Sequence, residues 1–223
     1  VRKNQPLLCI ICFSFILILS GCNPFQSTPE KIHEVLENVV KKEALFEEQQ
    51  QPLVQLEKDE QRLYEEIMEL GTKNIDEIVE KSNKAVEIVD ERKTHMDNEQ
   101  KSLEESEEEF KKVKPLIEKI DEKQVKDKAD QLYAVMTERY RTHDALYKAY
   151  IQGLELDKNL YNMLKAEERS LEKLEQQIVK INQIYQEVIA ANEKFNELTK
   201  EYNDTKHAFY ELSGLEIEEE STK

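Results

Sequence analysis

Between Val125 and Leu164, Val125, Ala129, Leu132, Met136, Leu146, Tyr150, Leu160 and Leu164 fall on one line whose steps alternate between three and four. Arg139, His143, Gly153 and Asp157 occupy the remaining places on that line. A β-strand repeats every two residues and cannot present such a pattern; an α-helix facing a left-handed bundle does. Three more stripes of the same period flank it, from Ile32 to Leu70, from Ile75 to Ile120 and from Leu171 to Leu212. With only 4 Gly and 5 Pro in 223 residues, the chain has little turn chemistry for any other architecture.

Helix ends follow from local chemistry. Thr28-Pro29-Glu30 reads as a hydroxyl N-cap, a proline at the first helical position and an acid. Gly71 and Gly214 stand where a helix stop needs a positive φ. The apolar spacing continues past Pro52 and Pro115, which predicts kinks rather than ends. A second helix starts near Asn74, and a turn is expected over Asp121 to Gln124. The break between the third and fourth helices, placed near Ala166 to Ser170, has no Gly or Pro to mark it. It rests on length, because cutting there leaves four segments of roughly 40 to 47 residues, and matched helices bury their stripes best. The predicted fold is all-α, a long antiparallel up-and-down four-helix bundle with coiled-coil-like packing.

The N-terminus carries a different signal. Arg2 and Lys3 precede an apolar stretch of 13 residues from Leu7 to Leu19, which is short for a membrane span but normal for a signal-peptide core. It closes in Leu19-Ser20-Gly21-Cys22, a lipobox in which the small residues meet the peptidase and the Cys22 thiol takes the diacylglyceryl group. The expected organisation is a signal peptide over 1–21, a lipidated tether over 22–28, the bundle over 29–214 and an acidic tail over 215–223. Two or more acyl chains on Cys22 suffice for stable anchoring at the outer face of the membrane. No cysteine follows position 22, so apolar packing rather than disulfides must stabilise the mature chain.

The formal net charge is −16, and removing residues 1–21, which carry Arg2 and Lys3 and no acid, leaves −18. Such a field repels nucleic acid and wall polyanions alike. No phosphate loop, nucleophile elbow or paired-histidine metal motif is present, and three tight turns offer few loops on which catalytic groups converge. The expectation is no enzyme and no cofactor. Glu30-x-x-His33 and Asp204-x-x-His207 have di-iron ligand spacing, but both histidines fall off their stripes and are read as surface residues. Glu104, Glu105, Glu107, Glu108 and Glu109 are read as a solvated face.

Polar residues on core lines are more informative. Gln50, Gln100, His143 and Asn192 come out near mid-length, with Glu43 and Arg139 about a turn and a half lower on helices 1 and 3. A satisfied polar layer that sets helix register is the favoured reading, with a Glu43–Arg139 contact across the core as its test. Tyr133, Tyr140, Tyr147 and Tyr161 repeat along the third helix beside its seam. Such residues more often cover the groove to a neighbouring helix; if they form a binding ridge, it would suit sugar rings or a partner helix.

With the lipobox, the helix-1 end Ile67-Met68-Glu69-Leu70-Gly71, the Tyr-rich third helix and the closing Phe209-Tyr210, the chain resembles the cell-wall binding lipoproteins of Gram-positive bacteria, the YkyA-like family. The resemblance implies a helical bundle outside the membrane with affinity for the wall, and it supplies no catalytic residues. The expected partners are membrane lipid, through acylated Cys22, and either peptidoglycan or an envelope protein. The alternative is a scaffolding bundle that binds another envelope protein.

Overall fold

Ser27, one residue ahead of the expected Thr28, caps the first helix. Its hydroxyl accepts from the Glu30 N–H at 3.3 Å while the Glu30 carboxylate accepts from the Ser27 N–H at 2.5 Å. A cap at Thr28 would put Lys31 in the third helical position, where no such reciprocal box can form. The computed structural model describes residues 26–71, 74–166 and 168–215. Helix α1 spans Thr28–Leu70 and stops at Gly71, whose φ of 60° a side chain would resist. Pro52 lies inside it.

Helix α2, Ile75–Phe110, starts from Asn74 and runs into a 3₁₀ turn over Lys111–Val113 and the short α3, Lys114–Ile117. The ladder changes one turn ahead of Pro115, because proline offers no N–H to the Lys111 carbonyl and its ring crowds that oxygen. Helix α4 spans Lys123–Leu164 and α5 spans Leu171–Leu212, so the break without Gly or Pro falls in the expected place. The Ser170 hydroxyl, accepting from the Lys173 N–H at 3.4 Å, caps the new helix. Helices α1, α4 and α5 have 43, 42 and 42 residues, and no strand occurs among the described residues.

Helix α1 packs along α2, α2 along α4, and α4 along α5, each neighbour antiparallel through a short connection. Two apolar cores form. One, near the chain ends, gathers Ile32, Leu36, Phe110, Leu132, Met136 and Phe209. The other, near the far turns, gathers Leu63, Ile67, Ile78, Val89, Leu154 and Leu160. Both cores and the helix caps lie within residues 27–215, so the bundle supplies its own stabilising burial. The lipobox residues Leu19, Ser20, Gly21 and Cys22 and the acidic run from Glu216 to Glu220 lie outside the described residues.

Candidate functional site: a cleft between the first and last helices

The first and last helices lack the close backbone packing that α1 makes with α2 and α4 makes with α5. Near the chain ends they meet through side chains: His33 lies against Tyr210, ring centroids 5.0 Å apart, and Phe46 against Phe195 at 5.7 Å. Beyond that level they part. Leu174, Ile178, Ile181 and Tyr185, all on the α5 stripe, are only half-buried, while Val54 and Ile189 stand 48% and 50% exposed on facing lips. The result is a cleft in two lobes that share Glu57, Tyr150, Val188 and Ile189. The outer lobe, of about 400 Å³, is lined by Tyr64, Leu160, Ile178 and Ile181. The mid-length lobe, of about 300 Å³, is lined by Phe46, Leu53, Leu146 and Phe195. Volume and apolar lining are those of small-ligand sites.

A buried arginine forms the floor of the outer lobe. Arg92 of α2 donates from Nε and Nη2 to the Tyr150 hydroxyl at 2.9 and 2.7 Å, and from Nη2 to the Tyr185 hydroxyl at 3.2 Å. Its Nη1 donates to Glu60 of α1. The ring continues outward: Tyr161 donates to Glu60 at 3.1 Å, Tyr150 to Glu57 at 2.7 Å and Tyr185 to Asp157. One guanidinium thereby ties the four long helices together. Gly153 makes room for it, since a Cβ there would lie 3.3 Å from Cζ of Tyr185. Three carboxylates share this single cation. Burial, with the Glu60 charge adding to it, pushes the Asp157 carboxyl up to about 7 against the Tyr185 hydrogen bond and the Arg92 charge.

A second polar level crosses mid-length. Glu99 accepts from the Gln50 amide at 2.6 Å, and His143 Nδ1 lies 3.2 Å from the Gln100 amide oxygen. Glu99 Oε2 is 3.7 Å from His143 Nε2, too far for a hydrogen bond, and that nitrogen has no partner among the described residues. Burial and the Glu57 charge push Glu99 up to about 8, while burial and the Arg139 charge hold His143 down to about 4. Asn192, expected on the core line, is exposed at the cleft margin because α1 does not cover α5 there. Lower down, Glu43 and Arg139 make the expected contact as a two-pronged pair at 2.8 and 2.9 Å, and Arg139 also donates to Thr199 at 2.9 Å.

The tyrosines of α4 face neighbouring helices. Tyr133 is half-buried and stacks on Phe110 with centroids 5.2 Å apart; the buried Tyr140 shares a hydrogen with Ser106 at 2.6 Å. Tyr147, also half-buried, donates to Asp97 at 2.8 Å. The buried Tyr161 lines the cleft, so these four do not stand as one open ridge. His207 lies at the surface beside Glu211, His33 packs on Tyr210, and no group of metal-ligating side chains gathers among the described residues. Sequence reading missed the Arg92 cluster as a unit. Its signal was present, since Glu60 falls midway between Leu56 and Leu63, Arg92 between Val89 and Met96, and Asp157 on the α4 line.

Residues 27–212 match the model of a family described as "Putative cell-wall binding lipoprotein", YkyA. The chain belongs to this family. It is 37% identical over 216 residues to the "Uncharacterized lipoprotein YkyA" of Bacillus subtilis strain 168, covering 96% of both chains. It also resembles, at 15% identity and a TM-score of 0.69, a crystal structure of a conserved Staphylococcus aureus protein of unknown function, covering 83% of this chain and 96% of that one. At that identity the likeness concerns the fold alone. Among the described residues of this YkyA-family bundle, no helix is long and apolar enough to cross a membrane.

Proposed function

We propose that the protein is a lipid-anchored, extracytoplasmic binding protein of the cell wall, held at the outer face of the membrane through Cys22 and engaging its partner in the α1–α5 cleft rather than catalysing a reaction. The observation that carries this reading is the unclosed seam. Two helices with matched apolar stripes leave a continuous, largely apolar groove over a polar floor, where a finished bundle would have buried that surface at roughly 25 cal/mol per Å². The floor groups are tied to one another by hydrogen bonds, which suits orientation of a partner better than proton transfer. The family's name and the lipobox support a partner in the envelope.

The net charge makes the anionic polymers of the wall poor partners, so the contact is with peptidoglycan itself. Sedimentation with purified peptidoglycan, stripped of anionic polymers, tests the reading. Retention at moderate salt is expected, with loss in an Ile189→Glu variant that puts a charge on the cleft lip. Equal recovery in the supernatant with and without peptidoglycan sinks it.

A further inference from the structure

The mid-length lobe of the cleft holds more negative than positive chemistry, and its one base is already engaged. Glu47, Glu57 and Glu99 line it, while Arg139, its basic residue, is paired with Glu43. Glu99 is 3% exposed, satisfies one oxygen with the Gln50 amide, and has no hydrogen bond to its other oxygen among the described residues. Facing that oxygen is His143 Nε2, in a residue 1% exposed, equally without a partner. Buried polar atoms are rarely left so. Phe46 lines the lobe beside these carboxyls, where an aromatic ring favours an organic cation, while the Phe195 face already carries the Arg139 guanidinium 4.6 Å from its centroid.

We infer that the cleft takes a small amphiphilic cation, its ammonium seated in the mid-length lobe at Glu99 and Glu57 beside Phe46, its apolar body lying along Val188, Ile189, Ile181 and Ile178. The direction is set by hydrogen bonding, since the outer lobe's Glu60 and Asp157 are bonded to Arg92, Tyr161 and Tyr185, whereas one oxygen of Glu99 is left open to the ligand. This assignment rests on the reading of the cleft as the binding site.

Arrival of the cation has a proton consequence. The titratable and charged groups lining the lobe with Glu99 are Glu47 and Glu57 from α1 and Arg139 and Tyr150 from α4, with His143 of α4 3.7 Å away, while α5 offers the neutral Asn192 and Asn196. With its carboxyl pushed up to about 8, Glu99 is mostly protonated at pH 7 and ionises when an ammonium sits beside it. Binding therefore releases protons.

Calorimetric titration of residues 26–215, which hold both cores and the helix caps, with n-octylammonium, 1-octanol and octanoate at pH 7 tests the assignment. The ammonium is expected to bind at least tenfold more tightly than the alcohol, and octanoate not at all. Heats compared in two buffers of different ionisation enthalpy should show proton release, and Glu99→Gln should abolish the release and weaken the ammonium at least tenfold. Glu57→Gln, at the more exposed junction, should weaken it several-fold with an unchanged thermal melt. Equal affinity for alcohol and ammonium, or no binding of either, overturns the assignment even if peptidoglycan retention holds. Ammonium binding without peptidoglycan retention overturns the wall reading alone.

Discussion

At the scale of single residues, Arg92 carries more of this structure than any apolar side chain. Its guanidinium is 4% exposed together with its residue and supports hydroxyl and carboxylate groups from three other helices. Replacing it by Leu fills part of the space but takes the donor from Tyr150 and Tyr185 and leaves the buried Glu60 charge with only the Tyr161 hydroxyl. A loss of about 3–5 kcal/mol is expected in urea unfolding, well beyond an ordinary surface substitution. The buried carboxyls give a second expectation. Glu99 and Asp157 hold their protons more tightly folded than unfolded, with values near 8 and 7 against ordinary ones of 4.5 and 3.8. Their contribution to stability is complete below those ordinary values and drains away as pH rises through 7 to 8. His143, held down to about 4 from 6.5, works oppositely, its contribution complete above 6.5 and lost toward pH 4. Above pH 6.5 only the carboxyls act, so the urea midpoint should fall between pH 6.5 and 9 by on the order of 1–3 kcal/mol of stability. Glu99→Gln should flatten that slope; a wild-type profile without any fall contradicts the assigned protonation.

At the scale of elements, Pro52 is the one residue whose local cost is unrepaid by any contact described. It removes the N–H that would reach the Glu48 carbonyl in the interior of a helix of 43 residues. Pro52→Ala restores that bond and is expected to raise stability by about 1–3 kcal/mol, read as a higher melting temperature; a lower one would mean the proline holds α1 in the course the cleft requires. Helix positions were legible because period, glycine stops and hydroxyl caps are local properties. The Ala166–Ser170 break could be placed on length alone, and the Glu43–Arg139 pair on height alone. The Ser27 cap was mistaken by one residue because Thr28 offers the same hydroxyl, and only the position of Glu30 separates the two. What periodicity could not reveal is whether a stripe is covered. Ile178, Ile181 and Asn192 fall on a core line as regular as that of α4, yet their neighbour is a cleft, because the distance between α1 and α5 is set by all four helices and by no one of them. The Arg92 cluster was hidden for a related reason, its members being spread over four helices and joining only when the bundle closes.

At the scale of the whole molecule, no helix among the described residues is long and apolar enough to cross a membrane. A chain at −18 after removal of residues 1–21 is repelled by anionic headgroups, and its exposed apolar residues are scattered along the helices rather than gathered into an amphipathic belt. On the proposed reading, residence at the outer face comes from acyl chains on Cys22, and two chains together exceed the marginal hold of one. Cys22→Ser keeps the shape of the side chain but offers an oxygen nucleophile where diacylglyceryl transfer needs sulfur. The variant is expected to lose all label from a fatty-acid analogue fed to the cells, and its intact mass should show the residues ahead of position 22 still attached, since trimming follows acylation. Its melting temperature should match the wild type, because the substitution leaves every residue named in the two cores unchanged. A serine variant that remains with the membrane fraction and is still cut after Gly21 would show that the thiol is not the anchor point, and the cleft would then need to be placed in the envelope by some other route.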